Sequence, residues 1–88
     1  MENRNNQMSK TVIRSQVERA INSNSSIEIS YTKYDGTSSR RKISNIKYNN
    51  QYYDIGYAND HIEGYCHMRQ EDRVFKIDRI TRIVLRRR

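Results

Sequence analysis

The chain has 88 residues, with 17 Lys+Arg against 10 Asp+Glu, a net charge of +7 and no proline. That length holds one small domain. No stretch nears the roughly 20 apolar residues that span a bilayer, no apolar run follows Met1 as in a signal peptide, and a single Cys66 excludes an internally disulfide-bonded scaffold. A reducing, cytoplasmic setting without a membrane is therefore expected. Leu, Ile, Val and Phe make up only 19% of the residues, at the margin of compositions that fold. Eleven Ile against one Leu, together with seven Tyr, tilt the balance toward strands, because β-branched and aromatic side chains suit a pleated, half-buried surface.

Residues 1–8 are polar and rich in Asn and read as a frayed arm. Ile13, Val17, Ala20 and Ile21 then fall on one face of a helix predicted over 9–22, with Ser9 placed to cap it and the Asn/Ser run at 22–26 placed to end it. About three turns are marginal alone in water, so the apolar stripe must dock on something. After Ser26 the period changes to two. Ile27, Ile29 and Tyr31 share one face of a first strand, and Asp35-Gly36 signals a hairpin turn. A second strand runs through Arg41, Ile43 and Ile46, and Asn49-Asn50 is the next turn signal. A third strand is expected over 52–57, a turn at Asn59-Asp60, a fourth strand over 61–68 and a fifth over 73–77. Ile83 and Leu85 alternate in a closing strand. The Ile80 to Ile83 spacing of three points to a 3-10 turn near residues 78–81. One helix and five to six short strands suggest a strongly bent antiparallel barrel over 27–85, since closure removes exposed edges. Residues 86–88 form a basic tail.

The charge is segregated. Residues 1–36 carry a net of +1, residues 37–88 a net of +6, and the last twenty alone +5. Such a field attracts phosphates or other anions. Twelve Arg to five Lys strengthen that reading beyond mere solubility, because the planar guanidinium fork matches phosphate oxygens. In the fourth strand, alternation puts Tyr65, His67 and Arg69 on one face and Ile62, Gly64, Cys66 and Met68 on the other, the core face. An aromatic beside cations suits base stacking with backbone neutralisation. Catalytic and metal chemistry find no support. Cys66 and His67 are adjacent and point to opposite faces of a strand, no paired zinc-ligand spacing exists, and three scattered Gly make no phosphate loop. Neither an enzyme nor a cofactor is expected.

The stretch Gly64-Tyr65-Cys66-His67-Met68-Arg69-Gln70-Glu71-Asp72-Arg73-Val74-Phe75-Lys76-Ile77-Asp78-Arg79-Ile80 closely resembles the C-terminal signature of the WYL domain family, G-Y-C-H-x-R-x-E-x-R-x-F-x-[LI]-D-R-I. Residues 27–31, the Asp35-Gly36 turn and residues 39–43 are similar to that family's opening strands, I-x-I-x-Y followed by S-x-R-x-I. The chain departs from the pattern where Asp60-His61-Ile62 stands in place of the naming tripeptide and Asn45 in place of a proline. The resemblance implies a Src-homology-3-like, Sm-type antiparallel β-barrel preceded by one helix. It also implies a non-enzymatic nucleic-acid-binding or ligand-sensing module of bacterial or phage transcription regulation. Its basic pocket would take single-stranded DNA or RNA, or a nucleotide-like anionic ligand. The matching positions are Tyr31, Arg41, Tyr65, His67, Arg69, Arg73 and Arg79. Phe75 matches the family's aromatic, but its spacing from Ile77 favours the core. With no room in these residues for a helix-turn-helix, a homodimer, a partner regulator or a parent protein from which this chain was cut is expected. The competing reading is an interaction or oligomerisation module whose basic face docks an acidic protein.

Overall fold

The computed structural model describes residues 8–49 and 59–86. Helix α1 (Lys10–Ser23) begins where Ser9 Oγ accepts from the Val12 N–H at 3.2 Å. It ends at Asn24, whose left-handed backbone (φ 55°) turns the chain out of the helix. Among the described residues five strands follow: β1 (Ser26–Thr32), β2 (Ser38–Tyr48), β3 (His61–Cys66), β4 (Glu71–Lys76) and β5 (Ile80–Arg86), with a 3-10 turn η1 (Ile77–Arg79) before the last. They form one antiparallel sheet in the order β4-β3-β2-β1-β5. The β1–β2 hairpin turns at Asp35-Gly36 as its sequence predicts. Gly36 takes φ 90°, and Asp35 Oδ1 accepts from the Thr37 N–H and hydroxyl at 3.0 and 2.8 Å.

The core is built largely of isoleucine. Among the described residues nine of the thirteen buried apolar side chains are Ile, and Ile13, Val17 and Ala20 of α1 meet Ile27, Ile29, Ile43 and Ile83 on one face of the sheet. Arg14 pins the helix in place. One guanidinium nitrogen donates to Asp60 at 3.0 Å and to Asp78 at 3.1 Å, joining α1 to the start of β3 and to η1. Met8, expected in the loose arm, is tied down: its N–H donates to the Thr81 carbonyl at 2.8 Å and its side chain packs on the core.

Two irregularities bend the sheet. In β2, residues 45 and 46 together oppose Gly64, and Asn45 adopts φ 55°. The extra residue moves the inward set from Arg41 and Ile43 to Ile46 and Tyr48, so the strand stays buried where strict alternation would turn it outward. Glycine is required opposite this bulge, because a Cβ on Gly64 would lie 2.6 Å from Ile43 Cγ2 and 2.8 Å from the Ser44 carbonyl. In β5, Tyr31 faces Ile80 while Ser30 faces Arg82, leaving Thr81 as the extra residue. That bulge, rather than the 3-10 turn just before it, produces the Ile80–Ile83 spacing.

Three expectations are corrected. Among the described residues the sheet is open, since no ladder joins β4 to β5. At this seam β4 gives way to η1, and the Lys76 N–H donates instead to the Tyr31 hydroxyl at 3.1 Å. The fourth strand does not reach residue 68. The chain leaves it after Cys66 and tightens through residues 67–70, where Gln70 takes φ 58°. Met68, assigned to the core, is consequently 53% exposed. The β5 ladder also extends through Arg86, the first residue of the supposed tail. The expected strand over 52–57, part of the Asn49-Asn50 turn, and Arg87 and Arg88 lie outside the described residues.

Candidate anion-binding cleft

Two antiparallel ladders and one hairpin create a cleft of about 350 Å³ on the core side of the sheet. Arg73 faces Gly64 and Phe75 faces Ile62 across the β3–β4 ladder, so both project with the core set. Tyr31 and Arg41 project to the same side from β1 and β2, and Arg79 arrives from η1. Lys33 and Tyr34 of the hairpin close the rim. The cleft thus gathers four cations and three aromatic rings without a carboxylate in its lining. Its volume falls within the ordinary range of small-molecule sites, and its composition suits a ligand with a negative and a flat part.

Arg41 gives the cleft its chemistry. It stands in the inward row of β2 beside Ile43 and is only 4% exposed. Its Nε donates to Ser39 Oγ at 3.1 Å and its Nη1 approaches Cys66 Sγ at 3.7 Å. Among the described residues no carboxylate pairs with it. A guanidinium has five donors in a rigid fork, and taking such an ion out of water without a counter-charge costs several kcal/mol. An anion accepting from the remaining guanidinium donors would offset that cost. The buried thiol beneath feels the same field. Burial pushes the Cys66 thiol up, but the Arg69 amide, the Arg41 guanidinium and the Met68 amide outweigh this and hold it below its ordinary value.

Tyr31 and Phe75 form the aromatic wall, their rings packed edge to face at 82° with centroids 5.1 Å apart. Phe75 is both core and lining, being 3% exposed yet bordering the cleft. Arg73 is drawn partly aside by Glu71 at 2.8 Å. Arg79 makes no hydrogen bond or ion pair with the described residues and stands half-buried at the cleft.

The seven residues nominated from the sequence do not form one site. Tyr31, Arg41, Arg73 and Arg79 meet at the cleft. Tyr65 is on the opposite side of the sheet, facing Ser44 and Asp72 across its two ladders. His67 stacks edge-on against it at 5.1 Å and lies 2.6 Å from Ser44 Oγ. Arg69 is exposed in the 67–70 turn and does not line the cleft, because the strand whose alternation placed it beside His67 has already ended. Sequence reasoning missed Lys33, Tyr34 and Val74 among the lining residues, and the first two stand immediately before Asp35-Gly36. An aromatic and a cation inside a hairpin loop were their visible signal.

Among the described residues no cluster of His, Cys, Asp or Glu is gathered that could hold a metal ion, and no helix is long and apolar enough to cross a membrane. No curated protein matches the sequence. Among solved structures the fold is similar to proteasome accessory factor B/C (PafBC) of Arthrobacter aurescens, with a TM-score of 0.71 at 18% identity. That superposition covers 93% of this chain and only 13% of that one, a likeness of fold over one segment of a much longer protein. The family model for the WYL domain matches residues 13–85, from the first turn of α1 to the penultimate residue of β5, and this chain belongs to the WYL domain family.

Proposed function

We propose that the domain is a non-enzymatic sensing module of a regulatory system, binding a small anionic ligand of nucleotide type in the cleft between Tyr31, Phe75 and the three arginines. The observation that carries this reading is Arg41: a guanidinium 4% exposed, without a carboxylate partner among the described residues, at the wall of a cleft that also receives Arg73 and Arg79. A phosphate would accept from Arg41 and Arg79, and a base or similar ring would lie along the Tyr31–Phe75 wall.

Isothermal titration calorimetry with adenosine 5′-monophosphate, inorganic phosphate and adenosine tests it. The expected order is the nucleotide above phosphate, with adenosine weakest. Arg79→Ala is expected to weaken the nucleotide by roughly 10- to 150-fold, the value of a hydrogen bond to a charged group. Absence of heat with every probe, or an affinity indifferent to Arg79, overturns the reading.

A further inference from the structure

Four cations line the cleft, so every small anion is drawn to it and charge alone does not distinguish one from another. Discrimination has to come from the uncharged lining, which is mainly aromatic. Two of its three rings cannot adjust to a ligand. Phe75 is 3% exposed and packed in the core, and Tyr31 stands edge to face with it while its hydroxyl accepts from the Lys76 N–H at 3.1 Å. Rings set at 82° share no plane, so this wall gives a flat ligand a surface to rest on but no pair of faces to slide between. The third ring is the opposite case. Tyr34 is 80% exposed, more than any other large apolar side chain among the described residues, and it makes no hydrogen bond or ring contact with any of them. Its backbone is nevertheless fixed. The Lys33 N–H donates to the Thr37 carbonyl at 2.8 Å, the Gly36 N–H donates to the Lys33 carbonyl at 2.9 Å, and the Asp35 carboxylate accepts from the Thr37 N–H at 3.0 Å.

We infer that Tyr34 is the specificity-determining residue of this cleft, a side-chain clamp that turns in from solvent and lies face to face on a ring-bearing anion while bare anions pass without engaging it. The inference rests on the cleft being the binding site and adds what makes that site selective. A hydrogen-bonded turn carries the tyrosine, so closing the clamp needs no backbone movement. Only two side-chain torsions have to settle, which makes ordering a tyrosine inexpensive for the area it covers. The gain comes from removing a large ring from water against the flat group of the ligand. The work is therefore divided: the arginines attract the negative part of any small anion, and Tyr34 adds affinity for those anions alone that carry a ring.

The test is titration calorimetry with adenosine 5′-monophosphate and with inorganic phosphate, on the parent protein and on Tyr34→Ala and Tyr34→Phe. Tyr34→Ala is expected to weaken the nucleotide by roughly 5- to 150-fold, the value of stacking one base on an aromatic side chain, and to leave phosphate unaltered. Tyr34→Phe is expected to keep the parent's affinity for both. Because the side chain is exposed, both variants should unfold at the parent's Tm. Tyr34→Trp supplies a direct signature, since the sequence contains no Trp: the emission of this variant should be quenched by the nucleotide and unchanged by phosphate. Equal nucleotide affinity in Tyr34→Ala, equal losses for nucleotide and phosphate, or a Tyr34→Trp emission indifferent to the nucleotide overturns the clamp and leaves the cleft in place. No heat from the nucleotide with the parent protein overturns the cleft as a binding site, and the clamp with it.

Discussion

Replacing Arg41 by Met separates function from stability at one position. The guanidinium is 4% exposed, and its contacts are one hydroxyl at 3.1 Å and a thiol at 3.7 Å, the second a weak acceptor. Losing two modest hydrogen bonds costs about 0.5–1.5 kcal/mol each at most, whereas relieving an unpaired buried ion returns several kcal/mol. Met has similar reach and no polar atom to bury, so the ligand-free variant is expected to be more stable by about 1–2 kcal/mol. For a domain of this size that raises Tm by roughly 4–16 °C. The same change removes a charged hydrogen-bond donor from the cleft, and adenosine 5′-monophosphate affinity is expected to fall by roughly 10- to 150-fold. Calorimetric unfolding of the ligand-free protein and titration calorimetry measure the two effects separately. A variant less stable than the parent by more than about 1 kcal/mol would show that Arg41 is a brace for Ser39 and Cys66, and the argument from its unpaired charge would fail.

Gly64→Ala should destabilise by about 1–3 kcal/mol through overpacking against Ile43 and the Ser44 carbonyl; urea unfolding should show a lower midpoint at constant slope, and an unchanged midpoint would mean that the β2 bulge yields freely. Phe75→Ala should cost about 3–5 kcal/mol, in keeping with a core residue, and also open the aromatic wall of the cleft. Tyr31→Phe removes the acceptor for the Lys76 amide across the open seam; hydrogen exchange of that amide should quicken roughly 2- to 10-fold, and an unaltered rate would show the seam is held by other contacts. Acid should weaken the fold through Glu28 and Asp35. The Arg86 hydrogen bond pulls the Glu28 carboxyl below its ordinary value, and the Thr37 amide and hydroxyl do the same for Asp35. A depressed folded value means their contribution is present above the unfolded carboxylate range, about 4, and is lost as pH falls below it. The double variant Glu28→Gln/Asp35→Ala should flatten stability between about pH 5 and pH 2, and the same slope in both proteins would exclude these two groups.

The local elements of this chain were legible because each rests on interactions between near neighbours. Ser9 as cap, the Ile13-Val17-Ala20 stripe, the Asp35-Gly36 turn and the alternation of Ile27 and Ile29 all appear in the structure as their spacing predicts. The resemblance carried by residues 64–80 named the family that the model match bears out. Legibility failed where one extra residue or one early strand ending changed which way the chain faces. Asn45 and Thr81 each add a residue to a ladder, and a period-two reading has no means of seeing a bulge whose partner lies on another strand.

The candidate site shows the same division. Composition and order along the chain determined a basic, isoleucine-rich, mainly β domain with one helix, and singled out Tyr, Arg and His as the candidates for binding chemistry. Only the tertiary structure decided that Tyr31, Arg41, Arg73 and Arg79 converge on one side of the sheet while Tyr65 and His67 stand on the other. The physical reason is that a side chain's type is local, whereas its facing depends on strand register, bulges and strand endings set by pairing partners far away in sequence.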